Sequence, residues 1–162
     1  MKVALRERTE QHVRIYFAKT QDPEIQSMLP QSAFTVEQAL ENYRKTLLPG
    51  AASYGRTIYV DERYVGDIWC YCIDPADAPN AMVSYCIFEK DCWGCGIASN
   101  ALKNFLLEII PKFHLYSIGA FTYADNFPSV RVLQKNGFAV LEGFTEDGVA
   151  SLYLEKNTED MI

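Results

Sequence analysis

With 162 residues, 49% of them hydrophobic and 22% charged, the chain can bury one substantial core and has the balance of a single globular domain. A net charge of −6 argues against general binding to nucleic-acid backbones, which needs a basic face, and is compatible with a cationic substrate. The apolar runs are too short to cross a bilayer and no cleavable signal opens the chain, so the expected setting is cytoplasmic, away from membranes, with the five cysteines as free thiols.

Val3 to Arg8 reads as a first strand, and Thr9 as the cap of a helix from Glu10 to about Lys19 with Val13, Tyr16 and Phe17 inward. Asp22 to Met28 gives a second, short helix broken by Pro30. Thr35 to Gln38 has the spacing of a capping box, and Val36, Leu40, Tyr43 and Leu47 then form a helical stripe closed by Pro49-Gly50. Arg56–Val60 and Tyr64–Cys72 are β-rich runs separated by Asp61-Glu62-Arg63, the pattern of a hairpin. After the two-proline loop from Asp74 to Asn80 comes a strand over Ala81–Glu89.

The stretch Cys92 to Ala98, Cys-Trp-Gly-Cys-Gly-Ile-Ala, follows that strand and opens a helix running to about Ile110 with Ile97, Ala101, Leu102, Phe105, Leu106 and Ile109 on one face. A helix start carries unpaired N–H groups and about half a positive charge, and glycines there let a phosphate approach the amides. Glycines before a helix also serve as plain turn residues, so the stretch alone supports either reading. Leu115–Thr122 is the next strand. Asn126 caps a helix with Pro128 in its first turn, ended by Asn136-Gly137. Phe138–Phe144 and Val149–Leu154 make a last hairpin around Asp147-Gly148. The result is one α+β domain over residues 1–156 with an acidic tail at 157–162, in the order β-α-α(α)-β-β-β-α-β-α-β-β.

This order and two short motifs resemble the GNAT superfamily of acyl-CoA-dependent N-acetyltransferases, most of all its RimJ/RimL-like branch of ribosomal-protein N-terminal acetyltransferases. The signature Gln/Arg-x-x-Gly-x-Gly/Ala falls on Trp93-Gly94-Cys95-Gly96-Ile97-Ala98. The landmark Asn-x-x-Ser followed by Lys-x-Gly-Phe falls on Asn126 to Ser129 and Lys135 to Phe138. The resemblance covers roughly residues 3–155. Trp93 replaces the usual Gln or Arg, and Cys95 stands where a lysine is common.

The resemblance implies a mixed, mostly antiparallel sheet of about 6–7 strands with helices on both faces. It implies that the strands Ala81–Glu89 and Leu115–Thr122 splay apart at one end. It further implies acetyl-CoA as co-substrate, with no metal. The pantetheine arm would pair with backbone groups near Ile87 and Phe88, beside a bulge expected in that strand, and the pyrophosphate would sit on the amides from Trp93 through Gly94, Cys95, Gly96 and Ile97 to Ala98. Asn126 would contact the pantetheine or serve only as a cap. Ser129 would hydrogen-bond the departing sulfur or be an ordinary first-turn serine. Lys135, with Arg131 and Lys90, would reach CoA phosphates or face solvent.

The place of the family's tyrosine acid falls on Leu133. The catalytic candidates are therefore Ser129 and Tyr85, Tyr85 being also suited to lining the acceptor pocket. Tyr123 and Asp125 are candidate substrate contacts, and His12 and His114 read as structural. The implied acceptor is a primary amine, on a small molecule or a protein N-terminus, with its base in the loop around Leu29–Phe34, at Glu62, at Asp67 or in ordered water. The protein would be a monomer or homodimer. Two other readings remain: a noncatalytic acyl-CoA sensor, and a thiol–disulfide protein using Cys92-x-x-Cys95. Zinc bound by Cys70, Cys72, Cys92 and Cys95 is a further arrangement, though Cys70 and Cys72, two apart on a strand, are more simply read as sharing a packed face.

Overall fold

The computed structural model describes residues 1–29, 33 and 35–158. Its elements run β1 (Val3–Arg6), α1 (Glu10–Lys19), α2 (Pro23–Gln26), α3 (Val36–Lys45), β2 (Tyr54–Val60) and β3 (Arg63–Asp74). There follow β4 (Asn80–Ile87), a 3-10 turn (Lys90–Cys92), α4 (Ile97–Phe113), β5 (Ser117–Tyr123), α5 (Phe127–Lys135), β6 (Ala139–Glu146) and β7 (Val149–Asn157). The seven strands form one sheet in the order β1-β2-β3-β4-β5-β7-β6. Every neighbouring pair is antiparallel except β4–β5. A parallel pair needs a long crossover, and α4 supplies it.

The two faces of β4 show where the helices lie. Ala81 and Val83 point into the main core with Leu102, Phe105, Leu106 and Ile109 of α4 and Leu133 of α5. Cys86 and Phe88 point the other way, onto Ile25 of α2 and Tyr16 of α1. Helices therefore cover both faces, as expected.

Hairpin turns follow from local chemistry. Asp61-Glu62 and Asp147-Gly148 each place two consecutive residues at positive φ, the backbone that a two-residue antiparallel turn requires. Gly66 is needed for a different reason: a Cβ there would lie 2.2 Å from the Cys86 carbonyl oxygen of the neighbouring strand.

β4 and β5 pair only from Asn80–Ser117 to Met82–Gly119. Beyond that point no backbone pairing joins them among the described residues, although β4 continues to Ile87 and β5 to Tyr123. The wedge opens toward the carboxyl ends of both strands, which lead into α4 and α5.

Several sequence expectations need correction. The expected bulge in β4 near Ile87 is absent; the extra residue lies on β3, where Cys72 has φ +51° and the register shifts between Tyr71 and Asp74. That irregularity also separates Cys70 from Cys72: the first is buried and the second exposed, so they do not share a packed face. α3 stops at Lys45 and Leu47 is 64% exposed, outside the inward stripe. α4 runs three residues past Ile110, with Pro111 inside it. Pro30, most of the Leu29–Phe34 loop and residues 159–162 of the tail lie outside the described residues.

Candidate active site

The open wedge is the floor of a cleft of about 1430 Å3 that passes from the α4–α5 side of the sheet to the α2 side. On the first side it is lined by Trp93, Gly94, Gly96, Ile97, Ala98 and Ser99, and by Asn126, Ser129, Arg131 and Lys135. On the other it is lined by Ile25, Met28, Tyr71, Cys86, Phe121, Tyr123, Phe144, Glu146 and Asp147.

The amino end of α4 differs from that of every other described α-helix. Thr9, Asp22, Thr35 and Asn126 each cap a helix with a side-chain oxygen. α4 starts at Gly96, which has no side-chain cap, and its first turn holds no acidic residue. Its first helical bond runs from the Asn100 N–H to the Gly96 carbonyl at 3.1 Å, so the amides of Ile97, Ala98 and Ser99 precede the ladder. Gly94 and Gly96 adopt φ +77° and +79°, and a Cβ at either would meet nothing within 4 Å, so the space before the helix is open. An electropositive helix end thus faces an open, glycine-walled cradle.

On the cleft edge of β4 the alternation of the ladder decides which backbone groups are exposed. The Phe88 N–H donates to the Val65 carbonyl of β3 at 2.9 Å, so Phe88 faces β3, and Tyr85 and Ile87 face the wedge. Phe88 is buried with Tyr16 and Tyr64 and does not line the cleft, which corrects the expectation for it. The Ile87 carbonyl accepts the Trp93 indole N–H at 2.8 Å, tying the glycine loop to this edge. The Trp93 backbone N–H donates to Lys90 at 3.1 Å and is not among the open amides. Cys95 is exposed and lies outside the cleft lining.

Tyr85 crosses from β4 to α5, where its hydroxyl lies 3.0 Å from Ser129 Oγ. Burial pushes the Tyr85 phenol up to about 12, against the lowering effect of the Ser129 hydrogen bond. The pair is therefore two neutral hydroxyls at neutral pH, able to donate hydrogen bonds but not to act as a base. Asn126 Oδ1 accepts the Ser129 N–H at 3.3 Å, as a cap, and the residue also lines the cleft. Leu133, at the place of the family's tyrosine, is buried in the core.

The remaining charged candidates separate cleanly. Arg131 and Lys135 line the cleft, and no carboxylate pairs with them among the described residues. Lys90 is held by Asp22 and Glu24, both at 2.9 Å, and is not free for a phosphate. Glu62 sits in the β2–β3 turn, paired to Arg6 at 2.6 Å and away from the cleft. Asp67 is buried behind Cys86, its partner across the β3–β4 ladder; burial pushes its carboxyl up to about 6 despite Arg8 and the Tyr64 hydroxyl. Tyr123 lines the cleft and Asp125 does not. His12 completes the α1 capping box and meets the Tyr59 hydroxyl at 2.7 Å, and His114 is the left-handed end of α4; both are structural.

Burial and Asp91 raise the Cys92 thiol, the opposite of what a reactive Cys-x-x-Cys thiolate needs. Among the described residues no group of three or more His, Cys, Asp or Glu side chains is placed to hold a metal ion.

The sequence profile of the acetyltransferase (GNAT) domain matches residues 2–139. The chain belongs to the GNAT acetyltransferase family. The solved structures it is similar to include three that hold CoA or a CoA disulfide. Mycobacterium smegmatis RimJ in complex with CoA-disulfide is 18% identical, with 98% of this chain and 83% of that one covered at a TM-score of 0.85. RimL, the ribosomal L7/L12 α-N-protein acetyltransferase, in complex with coenzyme A, is 18% identical over 97% and 94% at 0.81. Spermidine N-acetyltransferase from Vibrio cholerae, in complex with CoA and spermine, is 14% identical over 97% and 96% at 0.85. At these identities the likeness shows the GNAT fold alone. No curated protein matches the chain by sequence.

Among the lining residues that escaped the sequence reading are Phe121 on β5 and Phe144, Glu146 and Asp147 on the β6–β7 hairpin. Phe121 was within reach, because alternation along β5 puts it on the same face as Tyr123. The other three reach the cleft only through the fold-back of the β6–β7 hairpin.

Proposed function

We propose that this chain transfers an acetyl group from acetyl-CoA to a primary amine, on a peptide N-terminus or a small molecule, by direct attack within a ternary complex. The observation that carries the reading is the uncapped, glycine-fronted end of α4 at the mouth of an unpaired strand edge. The cradle fits the cofactor: the open space at Gly94 and Gly96 leaves the Ile97, Ala98 and Ser99 amides free to take a diphosphate, and Arg131 and Lys135 add positive charge beside it.

Bound acetyl-CoA supplies an activated thioester carbonyl and a thiolate leaving group. The chain's own groups do the rest. The exposed backbone of Tyr85 and Ile87 holds the amide-bearing arm as an added strand. A β4 amide facing the wedge donates to the developing oxyanion, and the loss of one such donor typically costs about 3–4 kcal/mol of barrier. The Ser129 hydroxyl, oriented by Tyr85, donates to the sulfur as its charge grows. Holding both reactants in line across the wedge contributes further.

An α-amino group with pKa near ~7.8 is about a tenth neutral at pH 7, whereas a lysine near ~10.4 is neutral at under one part in a thousand. With no carboxylate hydrogen-bonded to the Tyr85–Ser129 pair among the described residues, a peptide N-terminus is the favoured acceptor, losing its proton through ordered water. The test is a panel of amines and peptides with acetyl-CoA, read as free thiol. Release with at least one amine is expected. A protein that binds acetyl-CoA and releases none with any of them is a sensor.

A further inference from the structure

Helices cover the acceptor side of the sheet only in part. α1 and α2 pack over Tyr64, Cys86 and Phe88, and among the described residues no helix makes an extensive contact with the same face of β5, β7 and β6. Strand register assigns that bare face. Phe121 pairs with Tyr153 and Tyr153 with Glu142; Tyr123 pairs with Ser151 and Ser151 with Phe144. Gly119 pairs with Glu155, and Val149 with Glu146. One face thus carries three aromatic rings, with Phe121 in contact with both others at 5.8 Å from Phe144 and 5.2 Å from Tyr153, centroid to centroid. Phe121 remains 56% exposed. Glu142, Glu146 and Glu155 surround the rings.

These carboxylates differ from the acids that the chain holds in ion pairs, although Glu7, Glu37, Asp61, Asp74, Asp77 and Asp125 likewise lack a cationic partner among the described residues. Glu10, Asp22, Glu24, Glu62, Asp67, Glu89, Asp91 and Glu108 are each ion-paired to an arginine or lysine. None of Glu142, Glu146, Asp147 and Glu155 has a cationic partner among the described residues. Glu155 accepts the Tyr153 hydroxyl at 3.1 Å, and aromatic faces ringed by carboxylates without a cationic partner favour a cation with an apolar stem, the chemistry of Lys and Arg side chains. The face is also continuous with the cleft, since Phe121, Phe144 and Glu146 belong to both.

We propose that this face seats the acceptor as an extended basic peptide, its N-terminal amine in the cleft and its next lysine or arginine side chains over Phe121, Phe144 and Tyr153. The proposal deepens the acetyl-transfer reading and rests on it. From β5 to β6 is two strand spacings, about 10 Å, which about three extended residues span, so the cations belong near positions 2–5 of the acceptor. A small amine would fill the cleft and leave Tyr153 and Glu142 uncovered.

The test uses two peptides that differ only in lysine or glutamate at positions 3 and 4, with spermidine as a third acceptor, assayed by thiol release. The lysine peptide should have a kcat/KM at least ~10-fold higher at low salt, the gap shrinking at high salt. In the double variant Glu142→Lys, Glu155→Lys the preference should fall below ~3-fold, while calorimetry shows unchanged acetyl-CoA affinity and hence an intact fold. Equal rates for the two peptides, a preference unchanged in the double variant, or acetylation of spermidine but of neither peptide overturns the proposal. Thiol release from no amine, despite acetyl-CoA binding, overturns the acetyl-transfer reading and this inference with it.

Discussion

Ser129→Ala and Tyr85→Phe probe the Tyr85–Ser129 hydroxyl pair inside the wedge. The two oxygens are 3.0 Å apart and Tyr85 is half-buried, with a carbonyl contact to Ser129 at 3.4 Å as its other partner. For stability, each single change removes a neutral hydrogen bond of about 1 kcal/mol, and the double variant should show a coupling of similar size. For turnover the magnitude is larger, because the Ser129 hydroxyl donates to a group that becomes charged. A hydrogen bond to a charged group contributes about 1.5–3 kcal/mol, so Ser129→Ala should slow kcat about 10- to 150-fold. Acetyl-CoA affinity should change by less than about 3-fold, since the diphosphate cradle lies on another element. Tyr85→Phe acts through Ser129 and should cost less. Because burial holds the Tyr85 phenol near 12, no limb of the pH–rate profile between 6 and 10 should belong to it. The assay is steady-state thiol release from pH 6 to 10 beside acetyl-CoA titration. An unchanged kcat in Ser129→Ala, a loss confined to affinity, or a limb in this range that disappears in Tyr85→Phe would refute the assignment.

Asp67 gives a stability signature in pH. Its carboxyl titrates near 6 when folded against a reference of 3.8, so the native state binds the extra proton between those values and stability falls as pH rises through 6. The difference in unfolding free energy between wild type and Asp67→Asn should drop by about 2.4 kcal/mol from pH 4 to 7; the opposite slope in denaturant titrations would mean that the Arg8 charge outweighs burial. Gly66→Ala forces a Cβ against the Cys86 carbonyl and should cost about 2–3 kcal/mol by thermal or chemical unfolding, whereas Gly50→Ala, in open space at φ +73°, should cost about 1 kcal/mol. Lys135→Ala should weaken acetyl-CoA binding about 3- to 10-fold by calorimetry, and Lys90→Ala, whose ammonium is held by Asp22 and Glu24, should leave it nearly unchanged.

What the sequence made legible was whatever local chemistry dictates. The Thr9 and Thr35 caps, the Asp147-Gly148 turn and the inward face of α4 all follow from spacing along the chain, and each stands in the structure. The glycine loop was legible as a possible cradle. The missing capping side chain and the open space at Gly94 and Gly96 were not legible, because both depend on how the chain folds around the loop. The assignment of Phe88 failed because ladder parity, not position, decides which amides face the wedge, and parity was fixed by the Phe88–Val65 bond. Lys90 read as a free cation because the sequence does not show that α2 folds back onto it. The carboxylates of the β6–β7 hairpin were hidden for the same reason.

Isothermal titration of the intact protein with acetyl-CoA tests the paired claim of an open wedge and a bare helix end most directly. One-to-one binding in the micromolar range is expected, weakened when Gly96→Ala puts a methyl group into the cradle and a β-carbon at φ +79°. No detectable heat at millimolar ligand, or an affinity indifferent to that methyl group, would contradict it.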